Sequence, residues 1–193
     1  MRELIVSNIV SLDGYAAGPG GDVMALPMDH AFDQHNAELV GAADGLVLGA
    51  TTYRGFLGFW PHALEMPELT PASAEVARRY AAGLPIVVIS DELTEADTGP
   101  WREQTRITSR AAAPEVIAEL KRGGDGPLVT FGSMTAAGGL LAAGVVDELR
   151  VMISPRLLGD GVPAFPGGVP ADLARVDVRT WEGSPNLLVR YRL

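Results

Sequence analysis

The sequence predicts an α/β fold, a mostly parallel central sheet flanked by helices with an antiparallel hairpin at the C-terminal end. Three observations predict it. Short, wholly apolar runs such as residues 45–49 recur along the chain, as expected for strands covered on both faces. Segments with helical spacing alternate with those runs. The last two strand-like stretches, residues 173–181 and 186–193, are separated only by a turn around Gly183-Ser184-Pro185. With 193 residues, no internal repeat and no linker, the chain suits one domain, residues 1–193, with a full core.

Taken in order, residues 4–12 form an apolar, β-rich strand that ends in the turn pair Asp13-Gly14. Gly18-Pro19-Gly20-Gly21 marks a mobile loop, and helical spacing starts near Met28 and runs through Val40. Residues 45–49 are a buried strand, and 52–56 open a helix expected to stop at Trp60-Pro61. A helix over 71–82 has Pro71 near its start and Gly83 at its end. Strands follow at 84–90 and 104–108, then an amphipathic helix at 114–122 closed by Gly123-Gly124. A strand at 128–131, a helix at 133–143 and a strand at 147–154 lead to a Gly/Pro-rich loop over 155–168.

The composition excludes several classes. The formal net charge is −9, and Lys121 is the sole lysine. Such a surface repels nucleic acid and anionic membrane, so neither is expected as a partner. Cys is absent, which removes disulfides and thiolate metal sites. No apolar run is long enough to span a bilayer, and the N-terminus reads as a strand rather than a signal peptide. A cytoplasmic location is expected. His30 and His35 do not share one helix face, so no metal site is expected with Asp29 and Asp33. Patterns for α/β-hydrolase, P-loop, standard Rossmann and zincin chemistry do not occur.

The most informative stretch is 127–135, where an apolar strand meets Gly132 and then a helix opening with Ser133, Met134 and Thr135. A helix start of this kind aims unpaired N–H groups and the positive end of the dipole at one point, which suits a phosphate.

Three sets of residues carry a wider resemblance: Ser11-Leu12-Asp13-Gly14-Tyr15; Leu48-Gly49-Ala50-Thr51-Thr52-Tyr53 with Trp60-Pro61; and Phe131-Gly132-Ser133 with Val146-Asp147-Glu148-Leu149 and residues 155–161. Together they resemble the dihydrofolate-reductase-like superfamily, most of all the reductase domain of the bifunctional riboflavin-biosynthesis deaminase–reductase. The resemblance implies a three-layer sandwich, a hydride-transferring reductase using NADPH, and a homodimer. It implies that Gly49 and Thr52 meet the cofactor phosphates, that Ser90 lines the adenosine ribose, and that Gly132, Ser133, Met134 and Thr135 hold the pyrophosphate. It also implies an acid, Asp13, near substrate and nicotinamide, and a basic residue, Arg156, near an anionic substrate group.

Three departures from the relatives' pattern involve four positions. Ala50 stands where an arginine often follows the glycine, Asp91 and Glu92 follow Ser90 where basic residues are frequent, and Phe131 replaces the first of a glycine pair. Acids at that strand end suit ribose hydroxyls, so NADH stays open beside NADPH. The candidate proton donors are Asp13 and Asp29. Asp29 follows Leu26-Pro27-Met28, similar to the segment bearing the pterin-binding acid of dihydrofolate reductases, and the alternative is a helix N-cap. Tyr53 and Trp60 are open between stacking on a heterocycle and packing the core. The substrate expected is a small heterocycle or carbonyl compound, of the phosphoribosylamino-uracil or pterin kind. A non-catalytic nucleotide sensor on the same fold is the alternative.

Overall fold

The computed structural model describes residues 1–166 and 172–193. Ten strands and five α-helices follow in order: β1 Leu4–Val10, β2 Tyr15–Ala17, α1 His30–Ala42, β3 Gly45–Gly49, α2 Ala50–Ala63, α3 Pro71–Ala81, β4 Ile86–Ile89, β5 Thr105–Thr108, α4 Ala113–Leu120, β6 Leu128–Phe131, α5 Met134–Ala142, β7 Glu148–Ile153, β8 Val162–Pro163, β9 Ala174–Thr180 and β10 Leu187–Arg192. Eight strands form one sheet in the order β5-β4-β3-β6-β1-β7-β10-β9. β5 through β7 run parallel, and β10 is antiparallel to both β7 and β9. Strands β2 and β8 pair separately.

Two apolar layers explain the burial of the strands. On one face Leu46, Leu48, Val88 and Val129 pack with Leu39 and Val40 of α1, Tyr53 of α2 and Tyr80 of α3. On the other face Leu4, Val6, Val47 and Leu128 pack with Ile117 of α4 and Leu140 of α5. Alternate side chains of each strand serve opposite faces, so a strand between two helix layers must be apolar throughout. The expected mostly parallel sheet with its antiparallel C-terminal hairpin is present.

Several boundaries differ from the sequence expectation. Helix α2 begins at Ala50 rather than Thr52, because Gly49 makes the extended turn (φ −78°, ψ 159°) immediately before it. The helix also runs past Pro61 to Ala63; Pro61 lies in the last turn, where a broken bond costs little continuation. The expected mobile glycine loop contains two short 3₁₀ turns, Pro19–Gly21 and Val23–Ala25. Residues 95–103, unassigned from sequence, and Gln104, expected to open the next strand, form a 3₁₀ segment opened by Thr94, whose N–H donates to Asp97 at 2.8 Å, and anchored by buried Trp101. Of the loop expected over 155–168, residues 167 and 168 lie outside the described residues.

Candidate active site at the β3 and β6 strand ends

Helix α2 leaves β3 toward one face of the sheet and α5 leaves β6 toward the other, although the two strands are neighbours. Such a divergence marks the usual ligand position in an open α/β sheet, a crevice beyond the carboxyl ends of the strands. Two helix N-termini meet there, and an alanine methyl on Gly49 would touch Ala136 Cβ at 3.4 Å and Ser133 Cβ at 3.5 Å.

Hydrogen bonds fix the crevice. The Gly49 N–H donates to Ser133 Oγ at 2.9 Å, and the Ser133 N–H donates to Thr52 Oγ1 at 3.0 Å. Ser133 Oγ donates in turn to the Phe131 carbonyl at 3.0 Å. Gly132 (φ +56°) and Ser133 (φ +54°) are both left-handed, and Ser133 is the sole non-glycine residue with positive φ among the described residues. Those bonds hold a backbone that costs about 1 kcal/mol or more for a residue with a Cβ. The Gly49 and Ser133 amides are therefore spent on the scaffold. The first-turn amides of both helices, including those of Met134 and Thr135, have no intrahelical acceptor and face the crevice with the dipoles behind them.

Gly49, Thr52, Gly132, Ser133, Met134 and Thr135 thus come together. Ser90 sits one strand further, at the end of β4, which pairs with β3 through Gly49 and Ile89. Its hydroxyl oxygen accepts the amides of Glu92 (3.1 Å) and Leu93 (3.0 Å), so Ser90 shapes the turn there.

Asp13 follows β1, the strand beside β6 in the sheet. Its carboxylate accepts the Ser11 hydroxyl at 2.5 Å and the amides of Leu158 (3.1 Å) and Gly159 (2.7 Å). The Ser11 hydroxyl and then the Gly159 amide hold its pKa down at about 2. The carboxyl is ionised throughout the neutral range, and its geometry is that of a clasp on the 155–161 loop. Arg156 of that loop is exposed and donates to the Ala25 carbonyl at 3.0 Å, which ties the 3₁₀ turns to the same rim.

Asp29 is the N-cap of α1, accepting the amides of Ala31 (3.0 Å) and Phe32 (3.3 Å), and it also takes the Ser184 hydroxyl (2.6 Å) and the Asn186 amide (2.9 Å). Burial pushes its pKa up, but the Ser184 and Asn186 bonds outweigh it and the net shift is downward. Asn186 Oδ1 and Trp181 Nε1 are buried without a partner among the described residues. Tyr53 and Trp60 belong to the core: Tyr53 lies 6.1 Å from Trp101 and Trp60 lies 5.2 Å from Tyr80, centroid to centroid. His35 is buried against Ser7, whereas His30 contacts the Glu182 carbonyl, so the two imidazoles have separate surroundings. His62 is in the last turn of α2, at the far end of the helix from Gly49.

One residue that sequence reasoning passed over is Asn8. It lines a cavity of about 150 Å³ with Met134, Ala137 and Gly138 of α5 and with Leu149, and its Oδ1 is buried without a partner among the described residues. The signal was present as two polar residues, Ser7-Asn8, interrupting an otherwise apolar strand.

Residues 2–189 match the RibD C-terminal domain family. The chain belongs to that family. No curated protein matches it. Among solved structures it is similar to a protein of Shewanella sp. PV-4 named for riboflavin biosynthesis, with a TM-score of 0.71, 22% identity, and coverage of 99% of this chain and 98% of the other. It is also similar to the bifunctional deaminase and 5-amino-6-(5-phosphoribosylamino)uracil reductase of Thermotoga maritima (TM-score 0.68, 17% identity, 99% of this chain), of which it spans 56%. The riboflavin biosynthesis reductase Rib7 of Saccharomyces cerevisiae matches with a TM-score of 0.57 and 14% identity, over 99% of this chain and 89% of the other. These likenesses show the shared fold, and membership of the RibD C-terminal domain family supports a reductase of that kind. Among the described residues, no helix is long and apolar enough to cross a membrane.

Proposed function

We propose that the protein is an NAD(P)H-dependent reductase that delivers hydride to a small heterocyclic or carbonyl substrate, of the 5-amino-6-(5-phosphoribosylamino)uracil or pterin kind. The observation that carries this reading is the meeting of two helix N-termini at the β3–β6 divergence, in a chain of a reductase family. A reduced nicotinamide supplies the electrons when the dinucleotide is bound. The first-turn amides of Met134 and Thr135 and the Thr52 hydroxyl would hold its diphosphate, and glycine at 132 keeps the approach open. A Cβ there would stand 3.1 Å from Thr52 Oγ1, which supports the fit. Asp13 closes the 155–161 loop over the crevice and so positions Arg156 near the substrate end. The task of these residues is position and exclusion of water rather than covalent chemistry.

A sensor that binds the nucleotide without turnover is the second reading, favoured by one observation. Both acids expected to supply a proton, Asp13 and Asp29, are committed to hydrogen bonds as ionised groups. The test is loss of reduced-nicotinamide absorbance with phosphoribosylamino-uracil, pterin and quinone substrates, run beside a nucleotide thermal shift. Oxidation with one of them supports the reductase, a shift without oxidation supports the sensor, and no shift with either nucleotide removes both. The same reading includes a homodimer, supported by the outer strand β9, whose Val176 and Val178 are 46% and 45% exposed.

A further inference from the structure

We propose that Asp91, with Arg110 held against it, makes the nucleotide site select NADH over NADPH. The proposal rests on the reading that a nicotinamide dinucleotide lies at the β3–β6 divergence. On one side of that point are β1, Asp13 and the 155–161 loop, which close the substrate end. The adenosine half then lies on the other side, over β4, one strand spacing or about 5 Å away. An acid at the end of the strand next to the phosphate site is the group that meets the ribose 2′ position in open α/β sheets.

The end of β4 is built to present that acid. The buried Ser90 hydroxyl accepts the amides of Glu92 and Leu93, and the turn so made leaves Asp91 and Glu92 exposed at the rim. Asp91 Oδ1 accepts the Arg110 N–H at 3.0 Å, and Asp91 Oδ2 lies 3.5 Å from Arg110 Nε. The guanidinium that stands nearest the rim is thus already paired. The neighbouring 3₁₀ segment repeats the pattern: Arg102 pairs with Glu95 at 3.0 Å, and Arg54 lies close enough to Asp97 to assist Thr94 in holding its carboxyl below the usual range. Arg110 and Arg102 thus each face an acid, and Glu92 adds a further negative charge.

Two ligands fare differently against such a rim. The 2′,3′-diol of NADH offers hydroxyl donors to a carboxylate acceptor. The 2′-phosphate of NADPH brings further negative charge beside Asp91 and Glu92, and gains the Arg110 guanidinium only by taking it from Asp91.

The test is equilibrium titration of the full chain with NADH and NADPH, and with ADP and adenosine 2′,5′-bisphosphate as probes of the adenosine end alone. The expected result is tighter binding of NADH than NADPH and of ADP than the bisphosphate. Asp91→Asn keeps an oxygen acceptor for the Arg110 amide and is expected to raise NADPH affinity relative to NADH by about tenfold. Glu92→Gln, whose side chain makes no hydrogen bond among the described residues, is expected to move the ratio the same way by less. Glu119→Gln, an equal charge change at the far end of α4, leaves the ratio in place. Tighter binding of NADPH by the unaltered chain, or a ratio unmoved in Asp91→Asn, overturns this inference while leaving the reductase reading intact. Binding of neither dinucleotide overturns that reading and the inference with it.

Discussion

Gly132 and Ser133 show how much of this site depends on single residues. Two successive left-handed residues turn β6 into α5, and only the first can be glycine without losing the Ser133 hydroxyl that bonds Gly49. Gly132→Val places a branched side chain in a left-handed conformation and against Thr52 Oγ1. We expect reduced-dinucleotide affinity to fall by about tenfold or more, read by titration, with the circular dichroism spectrum preserved. Asp29 belongs to a different kind of argument. Its carboxylate caps α1 and gathers Ser184 and Asn186 from the β9–β10 turn, so it joins two elements far apart in sequence. Asp29→Ala is expected to cost about 1–2 kcal/mol in urea unfolding. An unchanged midpoint together with a lost substrate KM would make it a substrate contact instead.

The same logic operates between elements at Glu148. This residue opens β7, is 1% exposed, and receives Arg150 at 2.6 Å and Arg190 of β10 at 2.9 Å. Burial alone would raise its pKa, yet the Arg190 and Arg150 bonds carry it downward. Glu148→Ala strands Arg150 and leaves Arg190 only Asp177 at 3.6 Å, and the expected loss is about 3 kcal/mol in denaturant unfolding. The resemblance was read in part from Val146-Asp147-Glu148-Leu149, but nothing in that run shows that Glu148 points inward between two guanidiniums. Strands and helices were legible because a strand between two helix layers must be apolar on both faces, as at 45–49 and 128–131. The strand–glycine–helix junction at 128–135 was legible for a similar reason, since an apolar run, a glycine and a helical run follow one another directly. What stayed hidden was long-range partnering: Asp13 clasping Leu158 and Gly159, Ser133 bonding across to Gly49, and Arg110 pairing with Asp91. Local spacing carries no record of which distant loop a side chain will meet. The segment at 95–103 was missed because its helix is 3₁₀ and is broken at Gly99, so it lacks the 3.6-residue period.

For the whole molecule, the layer between α1 and the sheet sets an acid limit. His35 is 3% exposed and faces Ser7 Oγ at 3.1 Å; burial, and then the charge of Arg150, lower its pKa to about 4 from 6.5. A buried imidazole of lowered pKa stabilises the fold fully above the unfolded value near 6.5, and that stability drains as pH falls toward 4. The contribution is about 3 kcal/mol. We expect the melting temperature to drop across that window and the drop to flatten in His35→Gln, measured by calorimetry at fixed ionic strength. Association operates at the same scale. Val178→Asp on the outer strand β9 is expected to convert a dimer to monomer in light scattering while nucleotide affinity is retained.

Above all stands the convergence of α2 and α5 on one point at the carboxyl ends of β3 and β6. A crystal structure of the protein grown with saturating reduced nicotinamide dinucleotide examines it directly. The account predicts the diphosphate within hydrogen-bond reach of the Met134 and Thr135 amides, with the adenosine ribose over the end of β4. A dinucleotide seated elsewhere on the molecule, or that crevice filled by the protein's own side chains, would contradict it.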